Sequence, residues 1–408
     1  MFERHTIKVI ISCTLIVFIS MGMRQSFGLF LQPISAALGT GREVFSLAIA
    51  LQNLVFGLPL VGMLADRLGS RRIAAAGGLL FSLSFILLAH MSSSAGLYLN
   101  LGFLVGMALS GTSYVVVLGA AAKVVPPAKR STVFGVITAA GSLGMFAMVP
   151  GVQWQLNQFG WQTAFLISAF GVVLISVLAI GLPGQTAAAA ATVSPTGQRD
   201  QSLPQILTRA RSHSGYLLLN AGFFVCGFHV AFIATHLPAY LSDKGITGMA
   251  GAAALAMIGL FNIFGSYLFG MLGDRFRKKY LLSLLYFLRA LVISAFLIIP
   301  LSGLSALIFG GVIGFLWLAT VPLTSGMIAQ IFGSRYLSTL YGIVFFSHQI
   351  GSFLGVWLGG RLYDATGSYT AVWFTAVALG LLAAVVHLPI SDRPLQPVSQ
   401  PITDTATT

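Results

Sequence analysis

The chain has 408 residues, of which 57% are hydrophobic and only 8% charged, with a mean hydropathy of +0.91. A soluble domain carries about 25% charged residues, so this composition excludes a water-soluble globule and specifies a protein that crosses a membrane many times. The formal charge of +13 is spread over short loops and forms no basic face, which excludes a nucleic-acid-binding role.

About 20 apolar residues cross a bilayer. Twelve such runs occur: 9–31, 44–65, 73–90, 97–121, 131–153, 163–182, 215–240, 250–272, 281–300, 303–329, 338–360 and 370–389. The first is too long for a signal-peptide core and reads as a retained span. It contains Arg24, with nothing acidic near it. A cation at that depth costs roughly 2.5–3.5 kcal/mol on insertion scales unless something receives it. Between the sixth and seventh runs lies 183–214, rich in Ala, Thr, Gln, Ser and Pro, which reads as a cytoplasmic linker. The expected organisation is a six-helix bundle over 1–182, the linker, a second six-helix bundle over 215–390 and a cytoplasmic tail over 391–408.

With the N-terminus inside, cytoplasmic segments hold 17 of the 22 Lys and Arg residues and outer loops hold three, Arg42, Lys244 and Arg361. That asymmetry places both termini in the cytoplasm. The remaining two, Arg24 and Arg289, are intramembrane. The chain also repeats. Gly62-Met-Leu-Ala-Asp66-Arg67 returns as Gly270-Met-Leu-Gly-Asp274-Arg275, and Ser131-Thr-Val-Phe-Gly135 returns as Ser338-Thr-Leu-Tyr-Gly342, at offsets of 208 and 207. Two parallel six-helix repeats flanking a midplane site are a transporter architecture.

The run Gly62-x-x-x-Asp66-Arg67-x-Gly69-x-Arg71-Arg72 resembles the loop 2–3 motif of the major facilitator superfamily, and Asp274-Arg275 belong to a weaker second copy in loop 8–9. The resemblance covers the whole chain. It implies an all-α membrane protein of twelve helices. In it Gly62, Asp66, Arg67, Arg71, Arg72, Asp274 and Arg275 form a conformational latch rather than a substrate site. The first span (Arg24 to Ile34) and the eleventh (Ser347-His348-Gln349-x-Gly351-Ser352) resemble bacterial members of the monocarboxylate transporter branch. That branch carries small organic anions, often with a proton or by exchange. It often has an acid and an arginine four residues apart in the eighth helix. Here Asn262 and Ser266 stand at those places, so a lactate-like substrate does not carry over.

All nine acids lie in tails, loops or helix ends. Arginine stays protonated in proteins, so the counter-charge for Arg24 must be substrate, carbonyls, aromatic faces or water. A bidentate carboxylate uses a buried guanidinium best. Arg24 lies about 24 Å along the helix from Lys8. Aligning Pro33 with Pro238 sets it opposite His229. Arg24 and His229 are therefore expected to face a central cavity, with His348 and Gln349 from the eleventh span and Tyr114 and Trp317 adding hydrogen bonds. His229, His236 and His348 titrate nearest neutral pH, so proton coupling would use one of them or the substrate's own carboxyl. Arg289 reads as structural, reaching towards polar groups of a neighbouring helix.

The chain is thus expected to be a secondary transporter of the bacterial inner membrane, moving a small organic anion by alternating access, acting as a monomer. No nucleotide-binding loop occurs and no enzymatic activity, cofactor or resident metal is expected. Two other readings remain. Drug efflux would want a glycine–proline pattern in the fifth helix that Gly135, Gly141, Gly144, Pro150 and Gly151 do not reproduce. A copper or cofactor importer would draw on Cys226-x-x-His229, Met21, Met23 and His236.

Overall fold

The computed structural model describes residues 3–58, 60–184, 203–333 and 336–395. The greater part of the linker and the end of the tail lie outside the described residues. The first crossing is α1 (Arg4–Ser26), a 3-10 turn (Phe27–Phe30) and α2 (Leu31–Leu38), closed by Gly39 at φ 62°. The second is α3 (Arg42–Gly57) and α4 (Leu60–Leu68). It breaks at Leu58, whose ψ of 132° is extended, because the residue before a proline is pushed out of the helical region. The third is α5 (Ser70–Ala89). The fourth comprises α6 (Ser94–Leu97), a π-helical segment (Tyr98–Leu104), α7 (Val105–Gly111) and α8 (Tyr114–Ala122), interrupted at Thr112 and Ser113.

The long element α9 (Pro127–Ala179) is two crossings. Gly144 lies against Phe18 of α1, Phe165 stacks on Phe30 and Gly181 lies against Ser12. The chain therefore climbs beside α1, turns and returns along it. The turn is Gly160, whose φ of 75° with ψ 171° is open to glycine and strained for other residues. The short α10 (Leu203–Ser212) precedes α11 (Ser214–Asp243), α12 (Gly248–Arg275) and α13 (Lys278–Ile298). The tenth crossing is α14 (Gly303–Phe315) and α15 (Thr320–Phe332), interrupted over 316–319, and α16 (Leu337–Thr366) and α17 (Thr370–His387) complete the bundle. Among the described residues, ten stretches are individually long and apolar enough to span a membrane. Counting α9 as two and α3–α4 as one broken span gives the twelve of the sequence reading.

Twelve crossings put both termini at one end of the bundle. At the opposite, far end the two halves are tied together by charge. The Arg42 guanidinium forks onto Asp243 at 2.6 and 2.7 Å, donates to the Tyr369 hydroxyl at 3.0 Å and lies 3.7 Å over the Tyr363 ring. Asp364 accepts the first backbone N–H groups of α3, from Arg42 at 2.9 Å and Glu43 at 2.8 Å. These donors have no partner within the helix, and the positive end of the helix dipole favours an anion there. Glu43 in turn accepts from Trp357 and Arg361, each at 3.0 Å. Small residues let the halves approach below this layer. A Cβ on Gly28 would fall 2.3 Å from the Ala234 carbonyl, and one on Gly259 would fall 2.7 Å from the Ser142 carbonyl.

At the terminal end several polar contacts brace each half internally. Arg71 donates to the Leu182 carbonyl at 2.8 Å. Arg277 forks onto Asp392 at 2.6 and 3.1 Å, Lys279 donates to the carbonyls of Leu388 and Ile390, and Gln330 donates to that of Asp392. Of the other latch residues, Arg67, Arg72, Asp274 and Arg275 are exposed. The side chain of Asp66, like the surroundings of Gly62, lies outside what is described.

Candidate functional site: a polar cluster between the halves

Arg24 sits in the last turn of α1, where the helix tightens into its 3-10 segment. Its side chain is half-buried and turns towards α3. Nη2 donates to the Asn53 side-chain oxygen at 2.6 Å, and the guanidinium lies 5.1 Å from the Phe56 ring centroid. Its Nε is buried with no hydrogen-bond partner. A guanidinium carries five donors, so this one is conspicuously under-used. A small cleft beside it is lined by Gln25, Gln52, Asn53, Ala231 and Thr235, from α1, α3 and α11. It has room for a water molecule, about 20 Å³. A carboxylate needs more, so binding requires the side chains to part.

Asn53 is anchored by its Nδ2 to the Ile49 carbonyl at 3.0 Å, and its backbone carbonyl accepts from Gln349 Nε2 at 2.8 Å. Gln349 belongs to α16, in the opposite half. Its Oε1 accepts from His348 Nδ1 at 3.0 Å. His348 lies parallel to Phe345 at 5.7 Å and against Phe223 at 5.0 Å. A continuous polar path thus runs Arg24–Asn53–Gln349–His348 from one half to the other. Tyr114, at the start of α8 after the fourth-crossing interruption, is within electrostatic reach of Arg24 and donates weakly to the Thr138 carbonyl at 3.5 Å.

Four of the six residues singled out in the sequence therefore gather: Arg24, Tyr114, His348 and Gln349. Two do not. His229 is turned to α17, donating from Nε2 to the Ala376 carbonyl at 2.7 Å. Equal depth in the repeat did not bring equal facing. The face of α11 that meets α1 carries Val230, Ala231, Ala234 and Thr235 instead. Trp317 is buried in the interruption of the tenth crossing, with no hydrogen-bond partner for its indole N–H. His236 is likewise internal to its half, bonded to Val356 and Tyr369.

Arg289 is fully buried and well supplied. Nε and Nη2 donate to the Leu316 carbonyl at 3.1 and 2.7 Å, Nη2 also reaches the Trp317 carbonyl, and Nη1 contacts Cys226 Sγ at 3.4 Å. It satisfies the carbonyls that end α14, as expected of a structural cation at a helix C-terminus. The other side of that interruption is held by Asn262, whose Oδ1 accepts from the Leu318 N–H at 2.9 Å while Nδ2 donates to Ser142 Oγ of the other half at 2.8 Å. Ser266 donates to the same Asn262 oxygen at 3.0 Å. The two positions without charge thus cap a broken helix and join the fifth and eighth crossings.

Asn53 was not singled out from sequence. The signal was present, two adjacent amides, Gln52 and Asn53, inside an otherwise apolar run. Neither amide is ionisable, so no charge marks them as intramembrane anomalies.

Two broken crossings at equivalent places in the repeats, a far end bridged by charge and a polar cluster between the halves are the architecture of a membrane transporter. A model of the Major Facilitator Superfamily matches residues 13–321 and again 259–404, and the chain belongs to that family. It is similar to the uncharacterized MFS-type transporter YcxA of Bacillus subtilis (strain 168), 27% identical over 385 residues and covering 91% of each chain. It is also similar to monocarboxylate transporter 13 of Rattus norvegicus, 27% identical over 383 residues, 90% of this chain and 85% of that one. Among solved structures, a bacterial homolog of the human lysosomal transporter Spinster, in an inward-facing and occupied conformation, superposes with a TM-score of 0.74 at 16% identity. That match covers 95% of this chain and 97% of the other, and shows a shared fold.

Proposed function

We propose that this transporter carries a small organic anion, received as a carboxylate by Arg24, through alternating access. One observation carries the reading. Among the described residues, a half-buried arginine between the halves has a single hydrogen bond, to a neutral amide, and a buried Nε with no partner. A carboxylate supplies the two acceptors and the charge that this guanidinium lacks. The similarity to monocarboxylate transporters supports the same class.

In this reading Tyr114 and Gln349 wall the site, and His348 or the substrate's own carboxyl carries any coupled proton. The bundles over 1–182 and 215–390 rock as units about the linker over 183–214, and the carrier acts as a monomer. Both termini lie in the cytoplasm and the membrane is a bacterial inner membrane in this reading, with the Lys and Arg asymmetry as support for the orientation. The far end is then extracellular, and its charged contacts hold the two halves together on that side. His229 and Trp317 support the second bundle rather than the site.

The test is a thermal-shift screen of purified protein with monocarboxylates, dicarboxylates, aromatic acids and, as a contrast set, amphiphilic cations, repeated on Arg24→Gln. At least one carboxylate should stabilise the wild type and bind the variant ten- to a hundredfold more weakly, the equivalent of one charge-assisted hydrogen bond of about 1.5–3 kcal/mol. A carboxylate that stabilises both equally would refute Arg24 as the anchor. Stabilisation by amphiphilic cations alone would favour efflux.

A further inference from the structure

Asn53 makes two contacts of different kinds. Its side chain holds Arg24, in its own half, at 2.6 Å, and its main-chain carbonyl holds Gln349, in the other half, at 2.8 Å. It lies in the last turn of α3 before the break at Leu58. The same helix begins with Arg42 and Glu43, which close the far end against Asp243, Asp364 and Arg361. Eleven residues separate Arg42 from Asn53, about 16 Å along one rigid rod. The seam between α3 and α16 is therefore pinned at two levels, by charge at the far end and by Asn53–Gln349 near the middle. Close contact continues between them, where a Cβ on Gly360 would meet Ser46 Oγ at 2.4 Å, and past the second level, where one on Gly57 would meet Gln349 at 2.5 Å.

The geometry points to Asn53 as a positioning residue that couples the anion anchor to the seam. Its amide oxygen occupies the place that a substrate carboxylate would take on Arg24, and its carbonyl keeps Gln349 in the opposite half engaged. A carboxylate on Arg24 displaces the amide, because an anion accepts from a guanidinium more strongly than a neutral oxygen does. The middle of α3 then loses its tie to α1, and the Asn53 carbonyl, no longer steadied by that tie, holds Gln349 less firmly, so that the seam leans on its far-end charges. This rests on the reading that Arg24 receives a carboxylate.

The experiment uses full-length protein in nanodiscs with spin labels at Ala37→Cys and Lys244→Cys, exposed positions of the far end in opposite halves. The native Cys13 and Cys226 are buried and do not compete for label. Distances between labels are measured without ligand and with sodium benzoate, sodium succinate or sodium acetate. Without ligand, Gln349→Ala should raise the far-end-open fraction at least threefold. Gln349→Leu, closer in volume, should do the same and keeps the test decisive if alanine unfolds the protein. Asn53→Ala retains the carbonyl but frees Arg24, and should raise the open fraction about twofold. Unchanged distances in the Gln349 variants, or Asn53→Ala indistinguishable from wild type, would overturn the coupling. If the variants open as expected while wild type answers none of the three carboxylates, the seam role of Asn53 stands and the anion reading of Arg24 falls.

Discussion

Arg24 and Arg289 are the same side chain placed within the membrane in opposite halves, and they end in opposite situations. Arg289 is 1% exposed and spends its donors on the carbonyls of Leu316 and Trp317 and on the Cys226 sulfur. Arg24 borders the gap between the halves, donates to one amide and keeps a buried Nε unused. Burial alone does not separate a structural cation from an available one. The number of acceptors already committed to it does.

The comparison is broken most directly by neutralising each arginine in turn. Arg289→Gln should be the most damaging change. It removes at least two charge-assisted bonds from the end of α14, for a loss of about 3 kcal/mol or more, read as a large fall in thermal midpoint and in folded yield. Arg24→Gln should cost about 1 kcal/mol or less in the same unfolding assay, since one bond is lost and an unpaired cation is relieved. Equal destabilisation by the two would erase the distinction drawn here. At the far end, Asp243→Asn weakens the fork with Arg42. Both partners are partly exposed, at 13% and 22%, so the pair is screened and contributes about 0.5–1 kcal/mol. The far-end-open fraction should rise two- to fivefold, and the difference from wild type should shrink in high salt.

The smallest effect is expected at the terminal end. The hydrogen bond from Arg277 holds the Asp392 carboxyl below its ordinary pKa, against the opposing effect of burial. An unfolded aspartate titrates near about 3.9. The group therefore adds stability above about pH 4, and that contribution is lost as pH falls through the depressed folded value. Asp392→Asn should lower the thermal midpoint by a few degrees at pH 7 and progressively less below pH 4. A constant difference across that range would mean that the charge is not what matters.

The fold was legible because its signals are long-range in the chain and insensitive to detail. Twelve apolar runs and a repeat near 207 residues survive any error in helix ends. Arg289 was readable as structural from its place in a peripheral helix, and the lack of any nearby acid in the sequence foretold that Arg24 has no carboxylate partner among the described residues. Facing was harder. The repeat gives His229 the depth of Arg24, but the turn of α11 that meets α1 presents small residues, and the imidazole goes to Ala376 instead. The seam was least visible. Arg42, Glu43, Asp243, Arg361 and Asp364 look like ordinary loop and helix-end charges until α3, α11 and α16 converge at one end. Asn53 carries no charge, and its main-chain contact with Gln349 has no sequence signature at all.

The chain's own end does something more for the second half. Residues after α17 return across its base, where Asp392 is gripped by Arg277, its carbonyl by Gln330, and the carbonyls of Leu388 and Ile390 by Lys279, while the Leu395 N–H bonds the Ile331 carbonyl. The roots of the ninth, tenth and twelfth crossings are thereby laced by one strap. A lever transmits force only if its arm does not bend. Cutting the chain before Lys279 and Gln330 find their partners should leave the second bundle soft at its base, so that a movement begun at Gln349 is spent in flexing rather than delivered to the opposite end.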